Sequence, residues 1–187
     1  MNNDYLQGNT LVDMPRLLKI EEFMLETHAL AGIIAEVGVY RGGTARWICS
    51  RTVDKVLLFD TFEGMPEVSD KDLHHKGDFK DTSMEHVTGL LKNFSNYSIY
   101  KGIFPKANAE YANLYRYRLV HLDVDIYPSV KDCLMFFLAR MVPGGIIILD
   151  DYNEPNCPGA KLAADEFCKT YKLTLEPTVQ SQAIIRL

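Results

Sequence analysis

The chain has little that would place it in a membrane, in an oxidising compartment or on nucleic acid. No apolar run approaches the ~20 residues that a spanning helix needs. Its four cysteines, Cys49, Cys133, Cys157 and Cys168, show no C-x-x-C spacing, and no Cys/His group is spaced like a zinc finger. That pattern reads as reduced, mostly buried thiols in a cytoplasmic protein. Twenty Lys and Arg stand against 25 Asp and Glu, a formal net charge of −5, so no strongly basic face is expected and nucleic acid is a poor partner. The opening "MNNDYLQGNT" lacks the basic-then-apolar pattern of a signal peptide. Internal repeats, low-complexity tracts and the G-x-G-x-x-G dinucleotide fingerprint are also missing. What is present, 187 residues with 47% hydrophobic and 24% charged, excludes disorder and suits one domain over 1–187 with a sizeable core.

Along the chain, helix-like and strand-like segments alternate. Residues 1–31 form a short N-terminal helical segment. In it, Asp13 is placed to cap a helix with Pro15 in its first turn, and the apolar residues over Asp13–Leu30 have helical spacing. "GIIAEVGVY", "KVLLFDTF", "YSIYKGIF", "YRLVHLDVD" and "IIILDDY" read as strands, the central ones as continuous Val/Ile/Leu runs. "GTARWICSRT", with Thr44 as its cap, "SMEHVTGLLKNF", "SVKDCLMFFLARMVPGG", ended by Pro143–Gly144–Gly145, and "GAKLAADEFCKTY" read as helices. The stretch before "YRLVHLDVD" reads as a polar connection, and "KLTLEPTVQSQAIIRL" as two strands. Residues 63–83 are polar and form a long loop, expected to be mobile and to serve the site. Continuous apolar strands alternating with helices predict a mostly parallel α/β sheet covered on both faces.

Ligands of such sheets bind beyond the carboxyl ends of the strands. The first end is "EVGVYRGGTA". Gly38, Gly42 and Gly43 allow a tight turn and close backbone approach. Glu36 sits inside the strand end, where an acid is costly unless it meets a donor. A ligand bearing an ammonium group suits it better than a pyrophosphate. Taken alone, the turn is equally consistent with a plain chain reversal. The second end, "LLFDTFEG", carries Asp60, at the position where an acid commonly accepts from two ribose hydroxyls. S-adenosylmethionine, a positively charged nucleoside, fits both acids, with Glu36, Gly38, Tyr40, Gly42, Gly43 and Thr44 at its amino-acid end and Asp60, Thr61 and Phe62 at its ribose.

Two later strands also end in acids, Asp123 with Asp125 and Asp150 with Asp151. Neighbouring strands lie ~4.8 Å apart, so these tips converge on one spot. Asp123, Asp150 and Asp151 would repel one another there unless a cation sits between them. Oxygen-only ligands suit Mg²⁺, which can also take substrate oxygens and lower the pKa of a reacting hydroxyl. The plainer alternative is solvent-facing strand ends or helix caps, above all for Asp125 and Asp151.

Together, "EVGVYRGGTA", "LFDTFEGMP", "KGDFKDTS", "YKGIFP", "HLDVDIYPSVKDCLMFF" and "VPGGIIILDDYNEPNCPGAKLAADEF" resemble the macrocin O-methyltransferase family, which methylates sugar hydroxyls of macrolide-type antibiotics. The resemblance covers most of the chain from Glu36 to Phe167. It implies a Rossmann-like class I methyltransferase fold with seven strands and an antiparallel C-terminal edge. It also implies Mg²⁺ on Asp123, Asp150 and Asp151, with Asp123 as general base, and a small sugar-containing acceptor. Family members have a longer N-terminal region that covers substrate and often supports homo-oligomers; here about thirty residues precede Glu36. Covering the acceptor then falls to the loop Glu67–Ser83.

The rival readings are a nicotinamide-dependent dehydrogenase, which expects G-x-G-x-x-G and no triad of acids, and a non-catalytic nucleoside-binding module of the same fold. Of the histidines, His121 reads as a core residue, and His74 and His75 as solvated loop residues.

Overall fold

The computed structural model describes residues 3–187, so the first two residues of the N-terminal segment lie outside the described residues. A single 3-10 turn, Asp4–Leu6, precedes helix α1, Met14–Glu26. Asp13 caps α1 as expected, its side chain accepting from the amide of Arg16 at 3.2 Å. Then follow β1 (Ile33–Val37), α2 (Gly43–Cys49), β2 (Val56–Asp60), α3 (Met84–Leu90), β3 (Tyr97–Lys101), α4 (Ala109–Ala112), β4 (Tyr117–Leu122), α5 (Tyr127–Leu138), β5 (Met141–Leu149), α6 (Pro158–Tyr171), β6 (Leu175–Pro177) and β7 (Ala183–Arg186).

The seven strands form one sheet in the order β3-β2-β1-β4-β5-β7-β6. β1 to β5 pair in parallel, and β7 runs antiparallel to both β5 and β6. The chain thus reverses its winding between β1 and β4, and the tips of these strands point to the same end. Side chains alternate across the sheet. Val37, Leu57, Val120 and Ile147 pack with α5 and α6, while Ile34, Leu58, Leu119 and Ile148 pack with α1, α2 and α3. Both faces are therefore covered, which is why the central strands lack a polar side. No helix among the described residues is long and apolar enough to cross a membrane.

Local details differ from the sequence reading. α2 is capped by Gly42 in a left-handed conformation, not by Thr44, which lies inside the helix. α5 stops at Leu138, and Pro143–Gly144–Gly145 belong to β5. The register there jumps from Tyr117 opposite Met141 to Leu119 opposite Ile146, so the Pro-Gly-Gly residues form an irregularity at the start of the strand. The connection before β4 contains the one-turn helix α4.

Candidate active site

Several segments meet at the carboxyl end of the sheet around a cavity of about 330 Å³. Gly38, Tyr40 and Thr44 line it from the turn after β1, and Asp60 and Thr61 from the tip of β2. Asp123 and Asp125 follow β4, and Asp150 and Asp151 follow β5. Asn9–Val12 and Arg16 close one side; Gly64, Met65, Pro66, His74 and Phe79 of the long loop close another.

Gly38 makes the strand tips converge. Its φ is +88°, and a Cβ there would run into the backbone carbonyl of Asp123. The amide of Asp123 donates to the Val37 carbonyl at 3.0 Å, so the turn of β1 and the acids after β4 are one rigid unit. Asp60 braces the same turn. Its Oδ2 accepts from the amides of Val39 at 2.7 Å and Tyr40 at 2.8 Å, and its Oδ1 accepts from Phe62 at 2.7 Å. Both oxygens of the expected ribose acceptor therefore already carry backbone hydrogen bonds.

Glu36, Gly42, Gly43 and Phe62 are not among the residues that line the cavity. Glu36 lies beneath its floor, fully buried, because β1 places it opposite His121 of β4. Its Oε1 is 3.2 Å from His121 Nδ1, and its Oε2 has no hydrogen-bond partner. Burial pushes Glu36 above the usual carboxylate range, which the neighbouring His121 opposes. Gly43 packs against the N-terminal segment, its amide donating to the Asn9 carbonyl at 2.8 Å. Phe62 belongs to the core on the α1 side.

His121 links Glu36 to the acids. Its Nε2 stands 3.3 Å from Asp150 Oδ1. Burial disfavours its charged form, but hydrogen bonds and charge from Asp150 and Glu36 outweigh that and hold His121 well above the usual histidine range. Gln182, just before β7, donates to Asp150 Oδ1 at 2.6 Å. Arg16 Nη1 donates to Asp150 Oδ2. Burial would raise Asp150, yet His121, Arg16 and Gln182 together hold it below the ordinary range.

The other acids behave in the opposite way. Burial, then the charges of Asp150 and Asp151, push Asp123 well above the carboxylate range. Burial with Asp125 and Asp150 does the same to Asp151, and burial with Asp123 raises Asp125 to about 8. Carboxylate oxygens of Asp123, Asp125 and Asp151 lie within 4.8 Å of one another, as do ligand atoms of His121, Asp123 and Asp150. Asp123 belongs to both groups. Such a set favours protons or a cation.

The sequence reading missed Arg16, Gln182, Cys157 and His74 as site residues. Arg16 had a signal, since it follows the Asp13 cap by one helical turn. Gln182 had none, because only the antiparallel return of β7 beside β5 carries it to Asp150. His74 is not solvated; its side chain is 18% exposed, and it lines the cavity near Cys157.

The turn, the second-strand acid and the paired acids all lie at one end of the sheet. The profile of the Macrocin-O-methyltransferase (TylF) family matches residues 4–180. The chain belongs to this family. Among its relatives, the 8-demethyl-8-(2,3-dimethoxy-alpha-L-rhamnosyl)-tetracenomycin-C 4'-O-methyltransferase of Streptomyces olivaceus is 29% identical, over 82% of this chain and 66% of its own length. Mycinamicin III 3''-O-methyltransferase of Micromonospora griseorubida is 28% identical, over 80% of this chain and 67% of its own. The chain thus spans about two thirds of the length of these relatives. The structure of the O-methyltransferase NovP superposes with a TM-score of 0.81 at 22% identity, covering 95% of this chain and 81% of that one. Calicheamicin methyltransferase CalS11 gives 0.79 at 19% identity, covering 98% and 83%. The likeness to these two structures bears out the fold.

Proposed function

We propose that this TylF-family chain transfers a methyl group from S-adenosylmethionine to a sugar hydroxyl of a small glycosylated natural product, with Mg²⁺ beside the acceptor. One observation carries the reading: Asp123 stands between the glycine turn of β1 and the acids after β5, on the wall of one cavity. The names of the Streptomyces and Micromonospora relatives, a 4'-O- and a 3''-O-methyltransferase, support a sugar hydroxyl as the acceptor.

The donor set suits a divalent cation. Asp123, Asp150 and Asp151 offer oxygen alone, and burial with mutual repulsion keeps two of them above their ordinary range. Arg16 faces the same three acids as a stand-in positive charge. These three residues would hold Mg²⁺, which when bound lowers the pKa of a hydroxyl beside it.

The remaining work falls to the chain. The turn Gly38–Tyr40, braced by Asp60, fixes the cofactor's amino-acid end and ribose. Glu36 acts from below the floor by orienting His121, and through it Asp150. Asp123 accepts the acceptor's proton on a carboxylate oxygen as the oxygen–methyl bond forms and the sulfur–methyl bond breaks. Asn9–Val12 and the loop over 63–83 exclude water, so the transfer is mainly a matter of positioning. The protein works on small molecules in the cytoplasm.

The test is methyl transfer to a panel of glycosylated acceptors across a Mg²⁺ titration, with a chelator control. Transfer is expected only with Mg²⁺. Asp123→Asn should cost ~10²–10⁴-fold, the usual range for losing a general base. Asp150→Asn should be partly rescued by excess Mg²⁺. Full activity in chelator would overturn the metal assignment, and no transfer to any sugar acceptor would overturn the substrate class.

A further inference from the structure

Beside the oxygen-only acids, the cavity wall holds a second cluster of different chemistry. His74 comes from the long loop, Asp125 from the segment after β4, and Cys157 from the residue preceding α6. All three line the cavity. Their ligand atoms lie within 4.8 Å of one another. His74 Nε2 is 3.5 Å from Cys157 Sγ, and Cys157 Sγ is 3.5 Å from Asp125 Oδ1.

These separations match a tetrahedral metal. Zinc–sulfur bonds of ~2.3 Å and zinc–nitrogen or zinc–oxygen bonds of ~2.1 Å put neighbouring ligand atoms about 3.5 Å apart. The imidazole is also oriented for the task. Its Nδ1 stands 3.4 Å from Asp78 Oδ2, which leaves Nε2 directed at the thiol. Asp78 is itself fixed by the amide of His75, which donates to the same oxygen at 2.9 Å. A carboxylate behind the distal nitrogen is the usual support of a metal-bound histidine. Phe79 packs against the ring, with centroids 5.6 Å apart. Cys157 is buried on the protein side and lines the cavity on the other.

We propose that His74, Asp125 and Cys157 form a binding site for zinc, separate in chemistry from the Mg²⁺ site. A thiolate and an imidazole suit zinc, whereas Mg²⁺ takes oxygen ligands. One thiolate and one carboxylate balance the charge of the dication. On binding, Cys157 loses its S–H proton to solvent, a sulfur–metal bond forms, and nothing is oxidised. The fourth position faces the cavity, where Glu154 and Asn156 also lie. Zinc here ties the loop over 63–83 to the start of α6 and so fixes one wall of the cavity. Asp125 also neighbours Asp123 and Asp151, which makes the two sites adjacent.

Cobalt(II) is the probe, added to the full chain with saturating Mg²⁺ and no cofactor or acceptor, so the result does not depend on methyl transfer. A thiolate-to-cobalt charge-transfer band in the near ultraviolet is expected, with intense visible bands of a tetrahedral ion, all abolished by zinc. Cys157→Ser should remove the charge-transfer band, and Cys133→Ser should keep it. Asp78→Asn should weaken cobalt binding by about 10–100-fold, the range for outer-sphere partners. Circular dichroism verifies that each variant is folded. No band in the wild-type chain, a band that survives Cys157→Ser, or a band lost with Cys133→Ser would each overturn the site.

Discussion

His121 Nδ1 lies 3.2 Å from Glu36 Oε1, and neither side chain is exposed. The parallel register of β1 and β4 sets these residues opposite each other. Removing one member of a buried ion pair leaves the other without compensation, typically at ~3–5 kcal/mol. His121→Leu should therefore lower unfolding stability by roughly that amount, and the double variant Glu36→Leu with His121→Leu should recover part of it. Denaturant midpoints decide the matter. A single variant as stable as the parent would mean that the pair is not charged.

Stability should fall with rising pH when metal is absent. Asp125 is raised to about 8 from an ordinary 3.8, and Asp123 and Asp151 are raised too. Between those values the folded chain binds more protons than the unfolded one, so unfolding free energy drops as pH climbs. His121, also raised, acts in the same direction above the ordinary histidine range. Thermal unfolding in chelator should show a lower Tm at about pH 8 than at about pH 6, and Mg²⁺ should flatten that slope. An identical slope with and without Mg²⁺ would argue that these acids hold no cation.

Arg16 and a cation compete for Asp150. The guanidinium meets Asp150 Oδ2 and also reaches the Leu11 carbonyl at 2.8 Å and Ser181 Oγ at 3.4 Å. Arg16→Gln should tighten Mg²⁺ binding by about tenfold, or ~1.4 kcal/mol, the scale of one hydrogen bond to a charged group. Calorimetric titration reads this directly. Weaker binding in the variant would make Arg16 a support of the metal site instead.

Asp60 serves two masters if it also takes the ribose. Asp60→Ala leaves the amides of Val39, Tyr40 and Phe62 without their acceptor. It should weaken S-adenosylmethionine binding by about 1.5–3 kcal/mol and also lower stability, since an unpartnered buried donor costs ~1–3 kcal/mol. Calorimetry and chemical denaturation separate the two effects. Lost stability with unchanged cofactor affinity would leave Asp60 only its bracing role.

Much of this arrangement was legible in the chain because backbone chemistry wrote it there. The Val/Ile/Leu runs marked strands covered on both faces, and the acids after them marked the ligand end. Gly38 declared the turn. Helix ends were less readable: Pro143–Gly144–Gly145 stops a helix as plausibly as it enters a strand, and only pairing with β4 decides. Contacts that do not run through neighbouring strand tips left no trace. His74 and Cys157 are 83 residues apart, so no spacing rule could join them. The sequence alone points Glu36 at a ligand, since a buried acid demands a partner; the partner in the fold is His121, opposite it on β4.

The antiparallel β7 lies between β5 and β6 although it follows both in the chain. During synthesis, β5 and its terminal acids leave the ribosome before the strand that will cover them. Gln182, which holds Asp150, emerges later than everything else that touches that acid. A nascent chain can thus collapse around β1 to β5 while Asp150 still lacks one of its donors. The set of donors around Asp150 is therefore complete only once β7 has paired with β5, which ties the finishing of the site to the closing of the sheet's antiparallel edge.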